Sequence, residues 1–157
     1  MKKPGLTGRA SQSGSSASVF STFMSAAVAG DLAAADTLLD DDVQVVVMPT
    51  GQIIEGKTEV MSYLKVAKGF DHEIVTVNDF AATGWGVLEY WNIGVVTDEF
   101  VAFGNEQKWP WPQEPSGLLG RKYKVAQCMV WQLNEEGGIR SMREYLDTGS
   151  LWAQLFD

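Results

Sequence analysis

The chain has 157 residues, enough for one domain whose core needs neither disulfides nor a metal staple. Its formal net charge of -8 argues against nucleic acid or an anionic membrane surface as partner, because both reward clustered Lys and Arg. A single Cys (Cys128) and a single His (His72) leave no intramolecular disulfide and no Cys-based zinc site, and no ligand spacing supports a carboxylate metal centre.

Residues 1–17 are rich in Gly and Ser and lightly basic, which predicts a disordered tail ahead of one domain over residues 18–157. Ala27-Val28-Ala29 has the small-residue look of a signal-peptidase site. The stretch before it is studded with Ser and Thr, however, and lacks the continuous apolar run of a secretory signal. No apolar segment is long enough to span a bilayer. A soluble, cytoplasmic protein is the expectation.

Phe20, Phe23, Met24 and Ala27 recur at helical spacing and predict a first helix ending at Gly30. Asp31 is placed to cap a short second helix carrying Leu32, Ala35, Leu38 and Leu39. Asp40-Asp41-Asp42 then stops it as a solvated turn, since three anions sit poorly at the negative end of a helix dipole. Val43 to Met48 is β-branched and runs into Pro49, so it reads as a strand. Thr50-Gly51 is a turn, and Ile53 to Glu55 a short return strand ended by Gly56. Thr58 is placed to cap a third helix, with Val60, Met61, Leu64 and Ala67 on its apolar stripe and Gly69 closing it.

His72 to Asp79 alternates as a strand, and Trp85 to Val96 is a longer one. Tyr123 to Leu133 and Ile139 to Asp147 predict a hairpin across Asn134 to Gly138, followed by a terminal amphipathic turn at Leu151 to Phe156. Helices first and antiparallel strands afterwards is an α+β layout, and a sheet covered on one face by helices can curl around an apolar pocket. Thr97 to Gly120 is a connection far longer than a hairpin loop, and such loops are functional or disordered. It contains Trp109-Pro110-Trp111-Pro112, too aromatic for a disordered linker. It is either a packing flap or subunit contact, or a lid that brings Trp109 and Trp111 over the cavity mouth.

The richest stretch is Ile139 to Asp147. Strand alternation puts Met142, Glu144 and Leu146 on one side, with Ser141, Arg143, Tyr145 and Asp147 on the other. A carboxylate between Met and Leu is costly to desolvate unless it is paired, protonated or used. Glu144 is therefore the leading candidate for a general acid or base or a ligand-binding group, against the plainer role of a structural carboxylate hydrogen-bonded to a neighbouring strand or paired with Arg140 or Arg143. Gln127 shares a face with Val125 and Met129, where it either orients Glu144 or binds a substrate oxygen, or simply makes a cross-strand hydrogen bond. Tyr90 and Asn92 share a face with Leu88 and are donors for a carbonyl or oxyanion, unless the opposite face (Val87, Glu89, Trp91) points inward. His72 suits proton shuttling, with Thr76 and Asn78 on its alternation forming a polar wall; its plainer role is a solvated residue at a strand start. Cys128 lies opposite Gln127 in the alternation and reads as a buried spacer.

Gly30-Asp31, the Asp42-Val43 strand start, Met48-Pro49, Gly56 ahead of the third helix and the closing Arg143-Glu144-Tyr145-Leu146-Asp147 together resemble the nuclear transport factor 2-like superfamily. Within it the chain is most similar to SnoaL-like proteins and limonene-1,2-epoxide hydrolases. The resemblance implies a cone of curved antiparallel sheet packed on N-terminal helices, a cystatin-like α+β barrel with an apolar pocket, and frequently a dimer through the outer sheet face. It does not fix function, because isomerases, cyclases, dehydratases, hydrolases and binders share this fold. The Tyr and Asn with which the epoxide hydrolases hold a water fall on Val45 and Val47, and their Arg and Asp near Tyr90 and Asn92. Only their final Asp has a charged counterpart, Glu144. The tyrosine that the steroid isomerases place on the first helix is replaced by Phe20 or Phe23.

Three readings follow. The first is a SnoaL-like enzyme moving protons on a hydrophobic oxygenated small molecule, with Glu144 and His72 as catalytic groups. Tyr90, Asn92, Gln127, Met129, Met142, Leu146, Trp109 and Trp111 would contact the substrate. With no phosphate cradle and no metal-ligand cluster, no cofactor is expected. The second is a non-catalytic ligand-binding or dimerisation module, and the third an epoxide hydrolase with rearranged water-holding groups.

Overall fold

A computed structural model describes residues 16–67 and 69–156. Residues 1–15 of the expected tail lie outside the described residues, while Ser16 and Ala17 already belong to a helix. That helix, α1 (Ser16–Ala29), ends at Gly30, whose φ of 71° suits a residue without a Cβ. Asp31 caps α2 (Leu32–Thr37) as expected, its side chain accepting from the Ala34 N–H at 3.1 Å.

Strand β1 (Leu39–Val47) starts earlier than the sequence suggested, and the three aspartates are part of it rather than a free turn. Asp40 explains this. Its carboxylate accepts from the Asp42 N–H at 2.8 Å and from the Asn134 side chain, so it ties the strand start to the β-turn across the sheet. Those same bonds, the backbone one first, hold its pKa below the ordinary value. β2 (Gln52–Glu55) returns antiparallel to β1. Helix α3 (Lys57–Ala67) begins one residue before Thr58, so Thr58 is not its cap. Gly56 fills that position at φ 84°, its carbonyl accepting from the Val60 N–H at 3.1 Å.

β3 (Asp71–Ala82) and β4 (Trp85–Val95) form a hairpin. The expected long loop after β4 contains helix α4 (Asp98–Glu106) and a short 3-10 helix at Pro115–Leu118. The missed signal is local: the Thr97 hydroxyl accepts from the Phe100 N–H at 3.2 Å, and Asp98 and Glu99 occupy the first turn. β5 (Lys122–Leu133) and β6 (Ile139–Leu146) form the expected hairpin, and α5 (Thr148–Phe156) closes the described chain.

The fold is α+β, with the six strands in the order β2-β1-β6-β5-β4-β3. Two expectations need correction. The β1–β6 pair runs parallel, so the sheet is mixed; no hairpin joins these two strands, and nothing forces them antiparallel. The sheet curves but does not close into a barrel, because β2 and β3 remain its edges.

Two apolar clusters flank the concave face. One joins α1, α2 and α3 to the sheet through Phe20, Phe23, Val43, Val60, Trp131 and Ile139. The second, built on Val96, Phe100, Leu118, Tyr123, Leu151 and Leu155, holds α4 and α5 against the other half of the sheet. Among the described residues, no helix is long and apolar enough to cross a membrane.

Candidate functional site

The cavity lies on the concave face, takes its walls from both apolar clusters and has a volume of about 220 Å³. Strand register fixes which side chains reach it. β6 sends in Met142, Glu144 and Leu146, as alternation required, while Arg143 and Tyr145 are exposed on the outer face. Met129 pairs with Glu144 and Gln127 with Tyr90, so β5 and β4 continue the same inward row. Asn92 lines the cavity two residues beyond Tyr90.

Glu144 is enclosed by protein except where it faces the cavity. Its Oε1 accepts from Gln127 Nε2 at 3.3 Å, and its Oε2 from Tyr63 Oη at 3.5 Å. Among the described residues no Lys or Arg lines the cavity, and neither Arg140 nor Arg143 pairs with Glu144; the bond from Gln127 on β5 is the neighbouring-strand hydrogen bond of its plainer role. Burial without a counter-charge raises its pKa from 4.5 to about 7, and the Tyr63 hydrogen bond only partly opposes this. Tyr63 and Tyr90 are pushed well above their ordinary value, by burial first and by the Glu144 charge second. Both therefore stay protonated as hydrogen-bond donors through the neutral range.

Tyr63 is the functional residue that sequence reasoning passed over. It stands three residues after Val60 on the apolar face of α3, so the spacing that marked Val60 and Leu64 also pointed Tyr63 inward.

His72 lines the cavity from β3, three strands across and six residues along the sheet from Glu144, about 24 Å between Cα atoms before curvature shortens the gap. It is not beside Glu144. The polar wall expected from Thr76 and Asn78 does not form. A bulge between Thr76 and Asn78 turns Asn78 to the outer face, where its Nδ2 donates to Glu89 at 2.6 Å, and Thr76 does not line the cavity. Cys128 is half-buried on the outer face rather than sealed inside. Its thiol pKa is raised, by burial and then by Glu89.

Trp109 and Pro110 line the cavity at its α4 side. Lys108 adopts φ 54° to turn the chain out of α4, and Trp109 then packs edge-on against Phe100 and Phe103 at 5.3 and 5.6 Å. Trp111 does not line the cavity. It backs Trp109 at 5.4 Å, packs at a tilt against Trp152 at 5.2 Å and donates from Nε1 to Asn105 Oδ1 at 3.0 Å. Gly104 leaves the space its ring occupies, because a Cβ there would overlap the indole.

No family model matches the sequence, and no curated protein matches it either. Solved structures do. A polyketide cyclase candidate from Xanthomonas campestris pv. campestris superposes with a TM-score of 0.72 over 92% of this chain and 99% of its own, at 18% identity. The fold is that of the nuclear transport factor 2-like proteins. An LEH-like epoxide hydrolase from M. tuberculosis shares this nuclear transport factor 2-like fold at a TM-score of 0.66 and 16% identity, covering 90% of this chain and 89% of that one. A SnoaL-like polyketide cyclase candidate from Shewanella denitrificans does so at 0.67 and 10% identity, covering 88% and 94%.

Proposed function

We propose that this chain is a cofactor-independent acid–base enzyme acting on a hydrophobic, oxygenated small molecule, of the isomerase, cyclase or dehydratase kind. One observation carries the reading: a carboxyl group facing an apolar cavity, with no cation beside it among the described residues and a pKa raised to about 7. That is the range in which a general base is both available and strong enough to move a carbon-bound proton.

Glu144 takes the proton from the carbon next to a carbonyl, and the electron pair moves onto the carbonyl oxygen. Tyr90 donates a hydrogen bond to that oxygen, while Gln127 and Tyr63 hold the carboxylate. The proton then returns from Glu144 to another carbon of the enolate; in a cyclisation the enolate carbon instead attacks a second carbonyl carbon of the substrate, whose π pair moves onto its oxygen, and that oxygen takes the proton from Glu144. Trp109 and Pro110 restrict water at the α4 side. Epoxide hydrolysis is the weaker reading, because Val45 and Val47 occupy the cavity wall and neither can hold a water. The assay is deuterium exchange at the benzylic α-carbon of β-tetralone, followed by NMR in D₂O. Glu144-dependent exchange supports the reading, and exchange no faster than in buffer alone contradicts it.

The outer sheet face supports a homodimer. Val75, Phe80, Trp85 and Tyr145 are each 39% exposed or more and lie on that face, an unusual apolar area for a monomer. The chain should sediment as a dimer, and Phe80→Asp should shift it to monomer; a monomeric parent chain would contradict the assignment.

A further inference from the structure

The cavity has a second polar end that the proton-transfer machinery does not use. His72 and Asn92 both line it, and β3–β4 register makes them diagonal neighbours on the concave face: His72 pairs with Gly94, and Asn92 with Ile74. His72 Nδ1 lies 3.2 Å from the Phe70 carbonyl oxygen. A carbonyl can only accept, so Nδ1 carries the hydrogen and neutral His72 keeps an acceptor lone pair at Nε2. Asn92 Oδ1 is buried with no hydrogen-bond partner among the described residues. A buried amide oxygen left unsatisfied is costly, and a half-turn of the terminal torsion exchanges its oxygen and nitrogen at the same place. An acceptor nitrogen and an unpartnered carboxamide side by side match the two demands of one hydroxyl, which donates one hydrogen bond and accepts another.

We propose that His72 and Asn92 form a hydroxyl-binding subsite, so that the substrate is an apolar molecule bearing an alcohol or phenol at the end remote from the group that meets Glu144. The inference rests on the reading that this cavity is the substrate site. Along the sheet Asn92 stands two strands and four residues from the position opposite Glu144, about 16 Å between Cα atoms before curvature and inward-reaching side chains shorten the gap. The ligand span is correspondingly that of a small ring system rather than a single functional group. A cavity of about 220 Å³ agrees, since roughly 150 Å³ already admits benzene. Among the described residues no Lys or Arg lines this end, which favours an uncharged hydroxyl over a carboxylate or phosphate.

The test compares two probes on the full-length protein by calorimetry: β-tetralone, and its phenolic derivative with the hydroxyl on the edge of the aromatic ring farthest from the ketone. The phenol should bind about tenfold more tightly, the effect of one buried polar group gaining its partner. In Asn92→Leu and His72→Phe the preference should fall toward parity, with melting temperature checked for each variant. Equal affinity of the two probes for the parent protein would overturn the subsite without recourse to any variant. So would a preference that survives both substitutions. Glu144-dependent exchange of the plain ketone reports separately on the acid–base reading. A ketone that is bound and exchanged with no phenol preference sinks only the subsite, and one neither bound nor exchanged sinks both.

Discussion

Glu144→Gln should lower the α-proton exchange rate by about 10²- to 10⁴-fold, the usual worth of a positioned general base. The parent protein's rate should rise with pH through a midpoint near 7, where Glu144 loses its proton, and level off above it. The variant should show no such step. Folding stability should carry the opposite imprint. In the folded chain Glu144 binds its proton more tightly than in the unfolded chain, with a pKa of about 7 against 4.5. The stabilising contribution is thus full below 4.5 and is lost as pH rises through about 7. At about 1.4 kcal/mol per pH unit the loss has a ceiling of roughly 3 kcal/mol. Above neutrality Glu144→Gln should therefore melt at a higher temperature than the parent, a gain in stability with a loss of activity. Thermal melts at several pH values, set beside the exchange rates, check both. Parallel pH–stability curves for the two proteins would contradict the buried, unpaired carboxyl.

The largest effect on stability should come from Trp131→Ala. Trp131 is fully buried, stacks on Phe20 at 5.2 Å with the rings 10° apart, and its indole fills the space above Gly86, where a Cβ would overlap it. Removing it opens a void between α1 and the centre of the sheet, at a cost of about 3–5 kcal/mol. For a chain of this size that is a drop of roughly 10 °C in melting temperature. Trp131→Phe keeps a ring against Phe20 and deletes the indole N–H, which has no hydrogen-bond partner among the described residues. It should cost only about 1–2 kcal/mol. Equal losses for the two variants would show that stacking and volume do not set this part of the core.

The inward row of the site was legible because it depends on period-two alternation alone. Met142, Glu144 and Leu146 point into the cavity as the pattern required, and so do Gln127 with Met129 and Tyr90 with Asn92. What failed had a cause outside that pattern. The β3 bulge inserts a residue that alternation cannot foresee, and it sends Asn78 to the wrong face for a polar wall. Pairing of β1 with β6 joins segments nearly a hundred residues apart, and no local signal states its direction. The charge of Asp40 suggests a solvated turn, while its hydrogen bond from Asn134 depends on a turn far along the chain. Helix α4 was different, since Thr97, two acids and the Phe100–Phe103 spacing all announced it. The Trp and Pro residues that follow drew the reading toward a loop instead. Tyr63 was likewise visible in the helical stripe, but only its placement against Glu144 reveals a chemical role.

Glu144 faces an apolar cavity with no counter-charge among the described residues. The most direct measurement is an infrared titration of the carboxyl band, with carbon-labelled glutamate and Glu144→Gln as the difference partner. A protonated carboxyl band that belongs to Glu144 and disappears with a midpoint near pH 7 is the predicted result. A midpoint at the ordinary 4.5, or a difference spectrum with no such band, would contradict it.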